Sequence, residues 1–111
     1  MERRKHKRIQ YKEPVQYCVS EATIPKGCLS RDLSESGISI QSYEFFPLDT
    51  RVSLNWKLNA SQFVDLKGKV VWIQQVPYSD SYQIGFNFTE AELNPKIRDE
   101  IRQHIDSLRL Y

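Results

Sequence analysis

Two apolar alternations and one change of period predict a mainly β chain that ends in an α-helix. Val52, Leu54, Trp56 and Leu58 fall two apart, as do Tyr82, Ile84, Phe86 and Phe88. That spacing turns one face of a strand onto a core. Ile97, Ile101, Ile105 and Leu108 instead fall four, four and three apart, the stripe of an amphipathic helix. Five or six strands joined by short turns imply a closed or nearly closed antiparallel barrel, because a small open sheet leaves its edges unpaired.

Each element has its own signal. Val15, Tyr17 and Val19 mark the first strand, and Pro14 can open it without costing a ladder bond. Pro25-Lys26-Gly27 is turn chemistry before a strand through Cys28 toward Asp32. Ser34-Glu35-Ser36-Gly37 is a polar break, after which Ile38 and Ile40 resume the alternation, and Pro47-Leu48-Asp49 turns again. A longer strand is expected from about Val64 to Val76, with Gly68 suited to a bulge or a close backbone approach. Pro77 to Ser81 reads as a hairpin connection, and Asn94-Pro95 as an N-cap with proline at the first helical position. Trp56, Tyr82, Phe86 and Phe88 are assigned to the core. Trp72 is assigned there too, with a place beside a ligand as its alternative.

The chain has 111 residues, 40% hydrophobic and 27% charged, which fits one soluble globular domain and rules out wholesale disorder. No apolar run approaches the ~18 residues needed to cross a bilayer. The amino terminus lacks the apolar stretch of a signal peptide, so a cytoplasmic location is expected. Cys18 and Cys28, with His6 and His104 near opposite ends, supply neither a disulfide framework nor a zinc site, which takes about four ligands. Free thiols and no metal are expected. The four glycines are too scattered for a phosphate loop, and no nucleophile elbow or His-Glu-x-x-His is present. His104 sits on the expected helix as a surface or boundary residue. Nothing in this pattern supports an enzyme, and no cofactor is expected.

The net charge of +2 conceals an asymmetry. Residues 1–12 hold six basic residues against Glu2 alone, a net +5, while the remainder holds ten basic against 13 acidic residues, a net −3. The chain therefore divides into a flexible basic arm, residues 1–12, and a barrel with its helix, residues 13–111. Such an arm attracts an anion: nucleic acid, a lipid surface or a phosphorylated small molecule.

Two segments could carry that chemistry. In Arg4-x-x-x-Arg8 each guanidinium can bind a phosphate, or the O6/N7 edge of guanine, with two parallel bonds. As a plain basic tail it would simply be solvated. In Asp32-x-Ser34-x-x-Gly37, Asp32 can accept from guanine N1–H and N2–H and Ser34 can donate to a phosphate or base. Gly37 leaves room for a ligand against the backbone. The same residues also make an ordinary hairpin turn.

Together the two segments resemble the signature pair of the PilZ domain family. The resemblance runs over nearly the whole chain, through Gly68-Lys69-Val70-Val71-Trp72 and Tyr82-Gln83-Ile84-Gly85-Phe86-Asn87-Phe88 to the terminal helix. It implies a six-stranded antiparallel barrel that receives the bacterial second messenger cyclic di-GMP. Arg4 and Arg8 would grip guanine and phosphate from the arm; Asp32, Ser34 and Gly37 would line the barrel side. Arg3, directly before the first motif arginine, resembles sites that take a stacked pair of ligand molecules. The arm would order on binding and signal to an unidentified effector protein of motility, pilus or polysaccharide machinery. Two other readings remain at this point: a PilZ-like adaptor working by protein contacts alone, and a small nucleic-acid-binding barrel.

Overall fold

The computed structural model describes residues 8–19, 24–59, 61–89 and 94–108. Its strands are β1 (Ile9–Gln10), β2 (Pro14–Cys18), β3 (Lys26–Ser34), β4 (Gly37–Ser42), β5 (Arg51–Asn59), β6 (Gln62–Gln75) and β7 (Tyr82–Phe88), followed by helix α1 (Pro95–Leu108). Neighbouring strands run in the order β3-β2-β5-β6-β7-β4, and β4 pairs back onto β3, so six antiparallel strands close a ring. This is the mainly β, six-stranded barrel with a carboxy-terminal helix that the sequence predicts.

The short β1 lies outside that ring's simple count. Pro14 to Tyr17 of β2 pair with Leu29 to Lys26, whereas Ile9 and Gln10 pair with Leu33 and Asp32. Both segments therefore use the same edge of β3, one after the other. Between them Tyr11 N–H donates to the Arg31 carbonyl at 2.8 Å, and Tyr11 is buried. Residues 1–7 of the expected arm, including Arg3 and Arg4, lie outside the described residues.

The barrel interior follows the alternation. Val52, Leu54, Trp56 and Leu58 are buried, as are Ile84, Phe86 and Phe88, and Trp56 stacks on Phe88 with ring centroids 5.8 Å apart. Helix α1 packs against β3 and β5 through Ile101 and Ile105, with Ile97 at the edge of the core. Leu108, the fourth member of the expected stripe, is instead 41% exposed. Asn94 is the N-cap, its Oδ1 accepting from Ile97 N–H at 2.9 Å. Tyr11 bridges helix and barrel. Its ring meets His104 edge-on at 5.9 Å and its hydroxyl reaches the carbonyls of Lys57 and Leu58 at 3.3 and 3.4 Å.

Two register shifts position the outer-face cavity. The β3–β4 register shifts between Ser30 and Asp32, and the β6–β7 register shifts between Val70 and Trp72. An extra residue in a strand moves the next side chains to the opposite face. Ser30 is buried, but past the shift Leu33 takes the inward position and Asp32 is turned outward. In β6, Val64, Leu66 and Val70 point inward, then Ile73 packs on the core and Trp72 is turned outward. The core assignment of Trp72 is thus corrected: the bulge at Val71 removes it from the interior. Gly68 carries no bulge; it provides the close approach, since a Cβ there would lie 2.9 Å from that of Phe86.

Candidate functional site

The two shifts create a transverse row on the outer face of the barrel. Gln10, Asp32, Ser39, Gly85 and Trp72 are successive cross-strand partners on β1, β3, β4, β7 and β6. A cavity of about 220 Å³ opens over this row, lined by residues that include Arg8, Asp32, Ser34, Gly37, Trp72 and Asn87. Every described member of the expected site, Arg8, Asp32, Ser34 and Gly37, is at this one cavity. The expected Arg3 and Arg4 fall outside the described residues.

Arg8 is delivered by register. Because Ile9 pairs with Leu33 and Gln10 with Asp32, Arg8, the residue just before β1, comes to the end of β3. Arg8 Nη2 donates to Asp32 Oδ2 at 3.1 Å, with side-chain exposures of 29% and 30%. Asp32 is further fixed by Ser39. The Ser39 hydroxyl donates to the same carboxylate oxygen at 3.3 Å and accepts from Asp32 N–H at 3.1 Å. An acceptor and a cationic fork are therefore held side by side at the cavity.

Ser34 and Gly37 build the lip. Ser34 Oγ accepts from Ser36 N–H at 3.2 Å and Gly37 N–H at 3.1 Å, which ties the two-residue turn between β3 and β4. Gly37 is required by a close approach rather than by its backbone angle: a Cβ there would fall 2.2 Å from the Phe86 carbonyl oxygen. The opposite wall depends on a second such contact. At Gly85 a Cβ would meet Trp72 Nε1 at 2.1 Å, so the indole lies directly on β7. Ser39, Gly85 and Asn87 were not singled out from sequence. Their only signal is the two-residue period from Gly37 and across from it, and its use requires knowing both bulges.

Other reactive groups are placed elsewhere. Cys18 and Cys28 are not joined in a disulfide, and burial pushes the Cys28 thiol up to about 12. At neutral pH it carries no thiolate. Burial also holds His104 below its ordinary value, against the opposing pull of Glu13, and raises Tyr11 to about 12. Among the described residues no group of His, Cys, Asp and Glu side chains could hold a metal, and no helix is long and apolar enough to cross a membrane.

Comparison with known proteins agrees with the fold. The PilZ domain profile matches residues 2–107. The structure of the Bacillus subtilis inhibitor of motility MotI/DgrA superposes with a TM-score of 0.83 at 18% identity, covering 99% of this chain and 53% of that one. The PilZ domain of Escherichia coli YcgR with c-di-GMP gives 0.75 at 15% identity, covering 97% and 92%. The c-di-GMP complex of K. pneumonia MrkH gives 0.78 at 16% identity, covering 99% and 54%. This chain spans about half the length of the Bacillus and Klebsiella proteins. No curated protein matches it.

Proposed function

Since this chain belongs to the PilZ domain family, we propose that it is a cyclic di-GMP receptor whose ligand binds over the row between Arg8 and Trp72. The observation that carries this reading is the Arg8–Asp32 pair at the cavity, which brings together the two signature segments from 24 residues apart. Structures of YcgR and MrkH that share the fold hold c-di-GMP.

The chemistry follows from the groups present. Cyclic di-GMP offers two guanines and two phosphodiester charges. Arg8 has a planar fork for a phosphate or for guanine O6/N7, and Asp32 accepts from guanine N1–H and N2–H. An ion pair this exposed contributes only about 0–1 kcal/mol, so opening it to admit a ligand costs little. Trp72 offers an indole face, and stacking a base on an aromatic side chain is worth about 1–3 kcal/mol. Ser34 holds the lip in shape while Gly37 and Gly85 keep it thin.

The cavity is smaller than the ~300–1,000 Å³ of sites that enclose a drug-sized ligand. It therefore takes part of the nucleotide, and the remainder needs a second surface. Arg3 and Arg4 supply that surface: they close over the ligand from the arm, and Arg3 favours a stacked pair of nucleotides. Ordering the arm creates a new surface that an effector protein reads. The protein thus works as a ligand-gated adaptor in the cytoplasm, with no reaction of its own.

Calorimetric titration with cyclic di-GMP tests the proposal. The parent should bind with a stoichiometry near two nucleotides per chain, and Arg4→Ala and Asp32→Ala should each lose most of the affinity. Absence of heat from the parent would refute the receptor reading; a stoichiometry of one would refute the stacked pair. Ile9 to Tyr11 are already held on β3, so amide exchange in residues 1–8 should slow on ligand addition, and unchanged exchange there would refute the ordering step.

A further inference from the structure

The row beside the motif continues past it. Ser34 pairs with Gly37, Gly37 with Asn87, Asn87 with Lys69 and Lys69 with Arg51, crossing β3, β4, β7, β6 and β5 on the outer face. Register carries the same row to Arg8 at its other end. This row is therefore flanked by cations at both ends, with Ser34, Gly37 and Asn87 between them, and Asp32 beside it is taken up by Arg8. This is unexpected on a body whose net charge is −3.

The far side has a further peculiarity. Lys69 and Arg51 stand directly opposite each other across β5 and β6, and like charges in that position are destabilising. Among the described residues their relief comes from Asp49, whose Oδ1 is 3.8 Å from Lys69 Nζ at exposures of 81% and 44%. A pair that long and that exposed contributes little. Arg51 makes no ion pair among the described residues. Asn87 makes no side-chain hydrogen bond among them either, and its Oδ1 lies 3.4 Å from where a Cβ on Gly37 would stand. An amide with a free donor thus projects over the bare glycine, between the cavity and the two cations.

We infer that Asn87, Lys69 and Arg51 form a second anion subsite that binds a phosphodiester of the nucleotide held at Arg8. Lys69 lies two strand spacings from the Gly37 lip, roughly 10 Å, a span suited to a ligand extended across the sheet. On binding, Lys69 exchanges the loose contact with Asp49 for the phosphate, and the like-charge strain with Arg51 is relieved. No signature residue takes part on this side. The inference rests on the cyclic di-GMP reading and adds a second point of attachment to it.

The test is calorimetry with cyclic di-GMP on four single variants. Lys69→Gln and Arg51→Gln should each weaken binding about fivefold, the size of a partly exposed charged contact, and the weakening should shrink at high salt. Lys57→Gln makes the same charge change six residues along β5, about 20 Å away, and should bind as the parent does. Asp49→Asn keeps a residue type that tolerates the positive φ of 70° at this position and frees Lys69. It should tighten binding about twofold, and parent-like binding by Asp49→Asn would overturn the exchange of partners. If Lys69→Gln and Arg51→Gln bind no more weakly than Lys57→Gln, the subsite is refuted while the motif site stands. If the parent itself gives no heat, the receptor reading falls and the subsite with it.

Discussion

Trp56 and Trp72 sit on adjacent strands of one barrel, each within a run of alternating apolar residues, yet they face opposite ways. Trp56 is 1% exposed, stacked on Phe88 in the interior. Trp72 lies on the outer face against Gly85, at the cavity wall. The difference is a single extra residue, Val71, in the β6–β7 ladder. Regular pairing builds the core, and its interruption builds the site. The same holds on β3, where the shift after Ser30 turns Asp32 outward toward Arg8.

If that division is right, substitutions on the two faces should separate stability from ligand binding. The largest stability effect belongs to the interior. Trp56→Ala should cost about 3–5 kcal/mol by urea unfolding, through lost burial and the cavity left behind. That is a large fraction of the 5–15 kcal/mol of a typical domain. Trp72→Phe, a smaller change on the outer face, should cost less than about 1.5 kcal/mol.

Gly37→Ala should fall between them. A Cβ 2.2 Å from the Phe86 carbonyl cannot be relieved by a side-chain rotation, so β4 and β7 must separate. A loss of about 1–3 kcal/mol in unfolding free energy is expected. Ligand affinity should fall with it, because the lip moves. Unchanged unfolding would mean that the two strands are held less tightly than their spacing indicates.

The smallest effect concerns neither face but the helix seal. Burial beside Tyr11 keeps the folded-state value of His104 below its ordinary 6.5. The unfolded chain therefore binds the proton more readily, so stability is full above about pH 6.5 and falls as the pH drops through that value. His104→Gln should flatten this slope in unfolding measurements between neutral and mildly acidic pH. An identical slope in the variant would place the titrating group elsewhere.

How much of this was legible in the sequence follows from the same contrast. A period of two needs no tertiary information, so Val52 to Leu58 and Ile84 to Phe88 could be placed on the inner face directly. Asn94-Pro95 likewise announced its cap through local chemistry. The four described motif residues could be grouped because their two segments together resemble one family's signature, and they do meet at one cavity. Trp72 could not be placed. Its side depends on a bulge, and Val70-Val71-Trp72 gives no local sign of where an extra residue falls; Gly68, suited to a bulge or a close approach, provides the close approach. Asn87, which lines the cavity, was missed for a related reason. Its relation to Gly37 is a matter of register between distant strands, which no local pattern encodes. Leu108 shows the limit of periodicity at a helix end, where the stripe continues but the barrel beneath it does not.

Tryptophan fluorescence compares the two faces in one titration, because the chain has two tryptophans, one in the core and one at the cavity wall. Cyclic di-GMP should change the emission of the parent and of Trp56→Phe alike. The change should vanish in Trp72→Phe, which retains only the interior indole. A ligand-dependent signal that survives in Trp72→Phe and disappears in Trp56→Phe would contradict a site on the outer face.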